Sequence, residues 1–283
     1  MKRYLSGLVQ RLSPERKRRI KTLVTRLFDL GKGEYFSQFG EDVFLQTFFH
    51  ARYINEHYAG VPLLLQPAHA VGEGFYVEVG AYAPKLYSNS YWFYKQGWRG
   101  INIDGSPGSM EAFDRVRPRD INIEAVVSDV EEEAVFYHWE TPFMVNTLDP
   151  SSAANYARRF GREPQQLRVQ TQRLESILDT NMPQGKEISF MSIDAEGFDL
   201  QVLSSNNWEK YRPELVLVED VSIRLDKFSE SPVFCFLSEV GYEPIAWIRP
   251  TTIYRRQDVR DFDASLISEF HSPPSPSRSS ARD

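Results

Sequence analysis

Gly74-Phe75-Tyr76-Val77-Glu78-Val79-Gly80 is the stretch on which the fold turns: a short run of β-branched and aromatic residues closed by glycine at both ends. Such a run reads as a buried strand, and the rest of the chain repeats its pattern. Toward the C-terminus, strand signals recur over 100–104, 121–127, 134–139, 187–194, 215–219, 243–248 and 251–255. Helical spacing fills several of the gaps, over 88–96, 107–116, 174–179, 197–204 and 231–240. Strands alternating with helices predict an α/β fold with a doubly wound, mostly parallel, seven-stranded sheet. The last two strand signals are separated only by a short connection at Arg249-Pro250, which predicts an antiparallel hairpin at the sheet edge.

Outward from this core, residues 74–258 read as the main domain, interrupted by an insert at about 141–166. Ligands of open α/β sheets bind beyond the carboxyl ends of the strands, where such an insert can cover them. Residues 34–73 form a helical lead-in, with a helix expected over 40–58 and a Pro- and Gly-rich loop after it. Residues 1–33 form a basic arm whose apolar positions recur at helical spacing, with a break at Ser13-Pro14. Two readings of the arm stand: it packs on the domain or on a sister subunit of a homo-oligomer, or it rests peripherally on an anionic membrane. Residues 259–283 form a C-terminal extension, Ser-, Pro- and Arg-rich and expected to be disordered from 271.

Bulk composition narrows the function classes. The chain has 283 residues and a net charge of −6, which lacks the basic surplus of a nucleic-acid-binding protein. Its single cysteine, Cys235, excludes an internal disulfide, suits a reducing compartment, and reads as an inert core residue. No apolar run approaches the ~20 residues that span a bilayer, and no secretory apolar segment opens the chain. These features predict a cytoplasmic protein.

The chemistry-bearing residues cluster at predicted strand ends. Glycine after the first strand, Gly80, lets backbone approach a ligand closely, and Asp104 at the end of the second can accept two ribose hydroxyls. The G-x-G-x-x-G of a dinucleotide-binding dehydrogenase is absent. Two further strands end in acids, at Asp194-Ala195-Glu196-Gly197 and at Glu219-Asp220. Carboxylates crowded at one sheet edge must be exposed, protonated or paired with a cation. Asp194, Glu219 and Asp220 are therefore a candidate Mg²⁺ site; alternatively they are solvated or bond to helix N-termini.

An ordered set of motifs carries a resemblance. Ser37-Gln38-Phe39-Gly40-Glu41-Asp42, Phe75-Tyr76-Val77-Glu78-Val79-Gly80-Ala81, Ser88-Asn89-Ser90, Gly97-Trp98-Arg99-Gly100 and Ile103-Asp104-Gly105-Ser106-Pro107 follow one another, then Ala125-Val126-Val127-Ser128-Asp129 and Ser192-Ile193-Asp194-Ala195-Glu196-Gly197-Phe198-Asp199. The series resembles the FkbM-type family of S-adenosylmethionine-dependent methyltransferases, with a Rossmann-like class I fold, which methylate hydroxyls of sugars and natural products.

The resemblance implies that Glu78, Gly80 and Ala81 meet the methionine part of the cofactor and that Ser88 and Asn89 donate to its carboxylate. It implies that Asp104, with Gly105, holds the ribose, that Ser128 and Asp129 lie beside adenine, and that Asp194 and Glu196 face the acceptor, Asp194 also bordering the cofactor. Related sugar O-methyltransferases place a divalent ion there, which supports the same role for Asp194, Glu219 and Asp220. Two departures stand out: Tyr82-Ala83-Pro84 replaces the usual Asn/Asp-Gly-rich continuation, and Asp104-Gly105 stands where Glu-Pro is usual.

Methyl transfer from a sulfonium needs alignment and a deprotonated acceptor. Glu196 is the candidate base, with His138 kept as a second. The expected partner is a sugar, glycan or small-molecule acceptor, not a nucleic acid. Two other classes fit part of the pattern: a metal-dependent glycosyltransferase, with Asp194-Ala195-Glu196 in place of Asp-x-Asp, and a non-catalytic nucleotide-binding scaffold that uses the basic arm.

Overall fold

The computed structural model describes residues 34–58, 70–139, 145–221 and 223–259. The basic arm and the C-terminal extension beyond 259 lie outside the described residues. In chain order the elements are α1 (Glu41–Tyr58), β1 (Phe75–Val79), α2 (Tyr91–Lys95), β2 (Arg99–Asp104), α3 (Met110–Val116), β3 (Ile121–Glu124), β4 (Glu133–His138) and α4 (Pro150–Phe160). There follow β5 (Gln165–Gln170), α5 (Leu174–Asn181), β6 (Phe190–Ile193), α6 (Asp199–Ser204), β7 (Leu215–Glu219), a 3₁₀ turn (Leu225–Glu230), α7 (Pro232–Glu239), β8 (Tyr242–Ile248) and β9 (Thr251–Arg256). No helix among them is long and apolar enough to cross a membrane.

Seven strands form one sheet in the order β3-β2-β1-β6-β7-β9-β8. Neighbours from β3 to β7 pair in parallel, and β9 runs antiparallel between β7 and β8. The predicted doubly wound sheet with an antiparallel hairpin is present. Its edge strand is β8, because β9 folds back inside it to pair with β7.

The central strands are buried and mostly apolar because both faces are covered. Alternate residues of β1 divide between the faces. Phe75, Val77 and Val79 join the layer of α5, α6 and α7, through Leu174, Val202 and Leu237 among others. Tyr76 points to the opposite layer, where Leu45, Phe48 and Phe49 of α1 close over the sheet. The i, i+3, i+4 spacing of those three residues puts one apolar stripe of α1 inward. Phe49 meets Trp98 edge-on at 5.1 Å, so the lead-in helix is part of this core.

Beneath this layer lies a buried ionic node. Arg117, fully buried, pairs with Asp120 at 2.8 Å and Glu78 at 3.6 Å, and its guanidinium also donates to Tyr76 Oη and Ser90 Oγ. Such a charge is tolerated in an interior only when fully partnered.

Three expectations need correction. The insert carries regular structure that was not expected: α4 lies within it, and β5 at its end pairs antiparallel with β4. The strand expected over 121–127 ends at Glu124, and Val127 makes a single bridge to Gln172. Cys235 is exposed on α7 rather than part of the core.

Candidate active site

The carboxyl ends of β1, β2, β6 and β7 open into one cavity of about 720 Å³. It lies where the strand order reverses, between β1 and β6, the position at which α/β sheets bind ligands. Gly80 forms its floor. The backbone there has φ +78°, and a Cβ would meet the Asp194 carbonyl oxygen at 1.8 Å, so only glycine lets β1 and β6 end side by side.

One half of the cavity suits a nucleoside. Asp104 and Gly105 end β2 on its wall, with apolar Val126, Val127 and Phe136 beside them. Asp104 Oδ2 accepts Tyr82 N–H at 3.0 Å and Oδ1 accepts Ser106 N–H at 2.7 Å, which aims the carboxylate and leaves it further acceptor capacity.

Several residues implied for the cofactor sit off this wall. Glu78 faces the buried node: its carboxylate accepts from Ser90 Oγ, Ser88 Oγ and Asn89 N–H. Glu78 and Ser88 thus brace the β1–α2 loop. Ala81 packs against Met110 and Phe113 under α3. Ser128 donates to Asp129 Oδ1, and neither lines the cavity. Asn89 does reach a recess of about 30 Å³ that shares Asp194 and Glu219 with the main cavity. Its Nδ2 donates to Ser192 Oγ, while its Oδ1 is buried with no hydrogen-bond donor. An unpaired buried acceptor in a recess calls for a donor from a ligand.

The other half is acidic. Asp194 directly follows β6, Glu219 ends β7 and Glu196 stands in the turn before α6. Each offers a carboxylate oxygen, and the three oxygens lie within 4.8 Å of one another. Burial first, and mutual repulsion second, push Glu196 and Glu219 well above the ordinary carboxylate range; Asp194, opening onto the cavity yet walled in by protein, is raised as well. Three hard oxygen donors at this spacing fit a divalent cation such as Mg²⁺.

Asp220, expected as the third ligand, instead accepts from Ser231 Oγ at 2.6 Å, at the N-cap of α7. Successive strand residues point to opposite faces, so the residue after Glu219 turns away from the cluster. His138, the second base candidate, lies on β4 opposite Gln165 and off the cavity wall, with Nδ1 buried and unpartnered.

The insert holds Glu196 from two sides. Thr147 Oγ1 donates to the Glu196 carbonyl at 2.9 Å, and Tyr156 of α4 donates from its phenol to Glu196 Oε2. Asp199 fixes the same turn from below by accepting Ala195 N–H and Gly197 N–H. Burial, and then the charge of Asp194, push Asp199 up to about 7. Asn146 ties the insert to the other wall by donating to Ser106 Oγ. Residues 145–148 thus bridge the ends of β2 and β6 and roof the cavity.

Tyr156, Thr147 and Asn146 were not anticipated. A signal for the helix that carries Tyr156 exists: Asp149 caps it by accepting from Ser151 and Ser152 N–H, Pro150 opens it and Gly161 ends it at φ 62°. The non-glycine residues with left-handed backbone among the described residues, Tyr82, Tyr87 and Glu196, all line the cavity. Strain of this kind concentrates where a site imposes it.

A model of the methyltransferase FkbM domain matches residues 78–244, more than half of the chain. No curated protein matches. Among solved structures, the chain is similar to a TehB-like SAM-dependent methyltransferase from Corynebacterium glutamicum, at 9% identity and TM-score 0.31, over 74% of this chain and 88% of that one. It is also similar to the Burkholderia thailandensis 1,6-didemethyltoxoflavin-N1-methyltransferase with bound 1,6-didemethyltoxoflavin and S-adenosylhomocysteine, at 10% identity and TM-score 0.33, over 87% of this chain and 92% of that one.

Proposed function

The chain belongs to the FkbM methyltransferase family, and from that premise we propose that it moves a methyl group from S-adenosylmethionine to a hydroxyl of a sugar, glycan or small natural product, assisted by a divalent cation. One observation carries the proposal: Asp104 and the Asp194–Glu196–Glu219 cluster face each other's halves of a single cavity. S-adenosylmethionine, when bound, supplies an electrophilic methyl on sulfur. A divalent cation, when bound, lowers the pKa of a hydroxyl that coordinates it.

The residues present fit both groups. Asp104 would hold the ribose, Val126, Val127 and Phe136 would flank adenine, and Asn89 Oδ1, which has no hydrogen-bond donor, would accept from the cofactor's ammonium. Asp194 and Glu219 would hold the cation. Glu196, raised by burial and fixed by Tyr156 and Thr147, would take the proton of the acceptor hydroxyl, whose oxygen would receive the methyl group with S-adenosylhomocysteine as the leaving group. Residues 145–148 would cover the reacting groups on one side and reduce their contact with water.

Calorimetric titration with S-adenosylhomocysteine and with nucleotide-sugars, with and without Mg²⁺, tests the class. Binding of the former and not the latter is expected. A preference for nucleotide-sugars would turn the assignment to a glycosyltransferase. Asp194→Asn is expected to abolish transfer with cofactor binding kept; full activity in chelator would remove the cation from the proposal.

A further inference from the structure

Nine large apolar side chains stand exposed among the described residues, and four of them, Phe39, Leu86, Tyr87 and Val221, line this one cavity. Their exposures are 52, 54, 43 and 70%. They come from three separate segments: the lead-in before α1, the β1–α2 loop and the stretch after β7. Exposed apolar residues scattered singly need no explanation, but convergence on the mouth of one ligand cavity marks a binding surface. Tyr87 is held there at φ +58°, a costly conformation for a bulky side chain. Its two neighbours in sequence, Ser88 and Leu86, divide the labour: Ser88 is anchored in the buried node and Leu86 stands on the rim.

The cavity is therefore graded. Its interior carries carboxylates and hydrogen-bonding backbone, whereas this side of its mouth is apolar. A free sugar, with hydroxyls around its ring edge and only small C–H faces, covers far less of such a rim than an alkyl group does. Resting on the methyl-transfer assignment above, we propose that the acceptor is a single amphiphilic molecule, with a hydroxyl-bearing polar head that reaches Glu196 and an alkyl or other apolar group seated on Phe39, Leu86, Tyr87 and Val221.

The test uses the full chain saturated with S-adenosylhomocysteine, titrated calorimetrically with n-octyl β-glucoside below its micelle concentration and with methyl β-glucoside. The octyl compound is expected to bind at least about tenfold more tightly, since several methylenes leave water on the rim. Leu86→Ser/Val221→Ser is expected to remove most of that difference while S-adenosylhomocysteine affinity stays within about twofold. Val221→Asp, at the most exposed position, provides a second variant if the double one misfolds. Equal affinity for the two glucosides, or octyl binding that survives the rim substitutions, would overturn the inference. So would flotation with phosphatidylcholine vesicles that depends on the rim without discrimination between the glucosides, which would assign the surface to a bilayer. Absence of S-adenosylhomocysteine binding in the unaltered chain would overturn the methyl-transfer assignment instead, so the two failures are distinct.

Discussion

Tyr156 donates its phenolic hydrogen to Glu196 Oε2 across 2.5 Å, joining the inserted helix α4 to the turn that follows β6. Hydrogen bonds to an ionised acceptor are shorter and stronger than neutral ones, so this contact favours the carboxylate form of Glu196. It opposes the burial and the Asp194 charge that raise the same group, while burial and Glu196 together hold the phenol in its protonated, donating form.

Tyr156→Phe should therefore raise the Glu196 pKa further. The acidic limb of the pH–rate profile is expected to move up by about one pH unit, corresponding to the loss of one charge-assisted hydrogen bond. S-adenosylhomocysteine affinity should stay unchanged. A limb that stays in place, with kcat reduced equally at all pH values, would mean that Glu196 is not the proton acceptor.

Asp104→Asn keeps the shape of the β2 end but removes the charge that Tyr82 and Ser106 N–H aim into the cavity. S-adenosylhomocysteine affinity is expected to fall about tenfold or more, in line with the roughly 1.5–3 kcal/mol of a charged hydrogen bond. Calorimetry measures it directly; an unaltered dissociation constant would contradict the ribose role.

Arg117→Met leaves Glu78 and Asp120 buried without their counter-charge. Loss of one partner from a buried pair costs about 3–5 kcal/mol, which urea unfolding should register as a large fall in midpoint. Because Glu78 braces Ser88, Asn89 and Ser90, the variant should also weaken S-adenosylhomocysteine binding. A stability change within about 0.5 kcal/mol would show that the node is dispensable.

Asp194, Glu196 and Glu219 all have folded-state pKa values above their ordinary ones. As pH rises from about 4.5, the unfolded chain gives up these protons first, so the folded state binds more protons. The sign is then negative: stability should be greatest at mildly acid pH and decline as pH rises through the raised values. Buried Asp42, Glu78, Asp199 and Glu214 act in the same direction. Millimolar Mg²⁺ should flatten the decline, and Glu219→Gln should reduce both the decline and the Mg²⁺ response. Urea midpoints that rise between pH 5 and 8 without metal would contradict it.

Much of this was legible from residues close together in the chain. β7 is found where 215–219 predicted it, and β1 and β2 deviate by one residue, because buried parallel strands are short apolar runs. Gly80, Asp104, Asp194 and Glu219 reach the cavity because each ends, or directly follows, a parallel strand. Residues whose placement depends on distant partners were not legible. Glu78 turns to Arg117, 39 positions away in sequence, and Tyr156 finds Glu196 40 positions on. The β5 strand alternates polar and apolar residues in Gln165-Gln166-Leu167-Arg168-Val169-Gln170, and α4 carries cap residues at both ends. Neither signal names its partner: β5 pairs with β4, about 30 positions back, and α4 has its contact at Glu196, 40 positions on from Tyr156. Asp220 and Glu219 are adjacent letters with opposite destinations, a distinction that only the pleat of β7 makes.

The place of β9 between β7 and β8 bears on how the chain is made and how it can be cut. The family match stops at residue 244, before β9 begins at Thr251. A fragment trimmed to the match would leave β7 with a bare row of backbone donors and acceptors, an edge ready to recruit another chain. The same edge is open on a ribosome until Arg256 has emerged, and Pro250, part of the cavity wall, arrives only with it. Expression fragments that end before Arg256 should therefore collect as aggregates, however complete their matched segment.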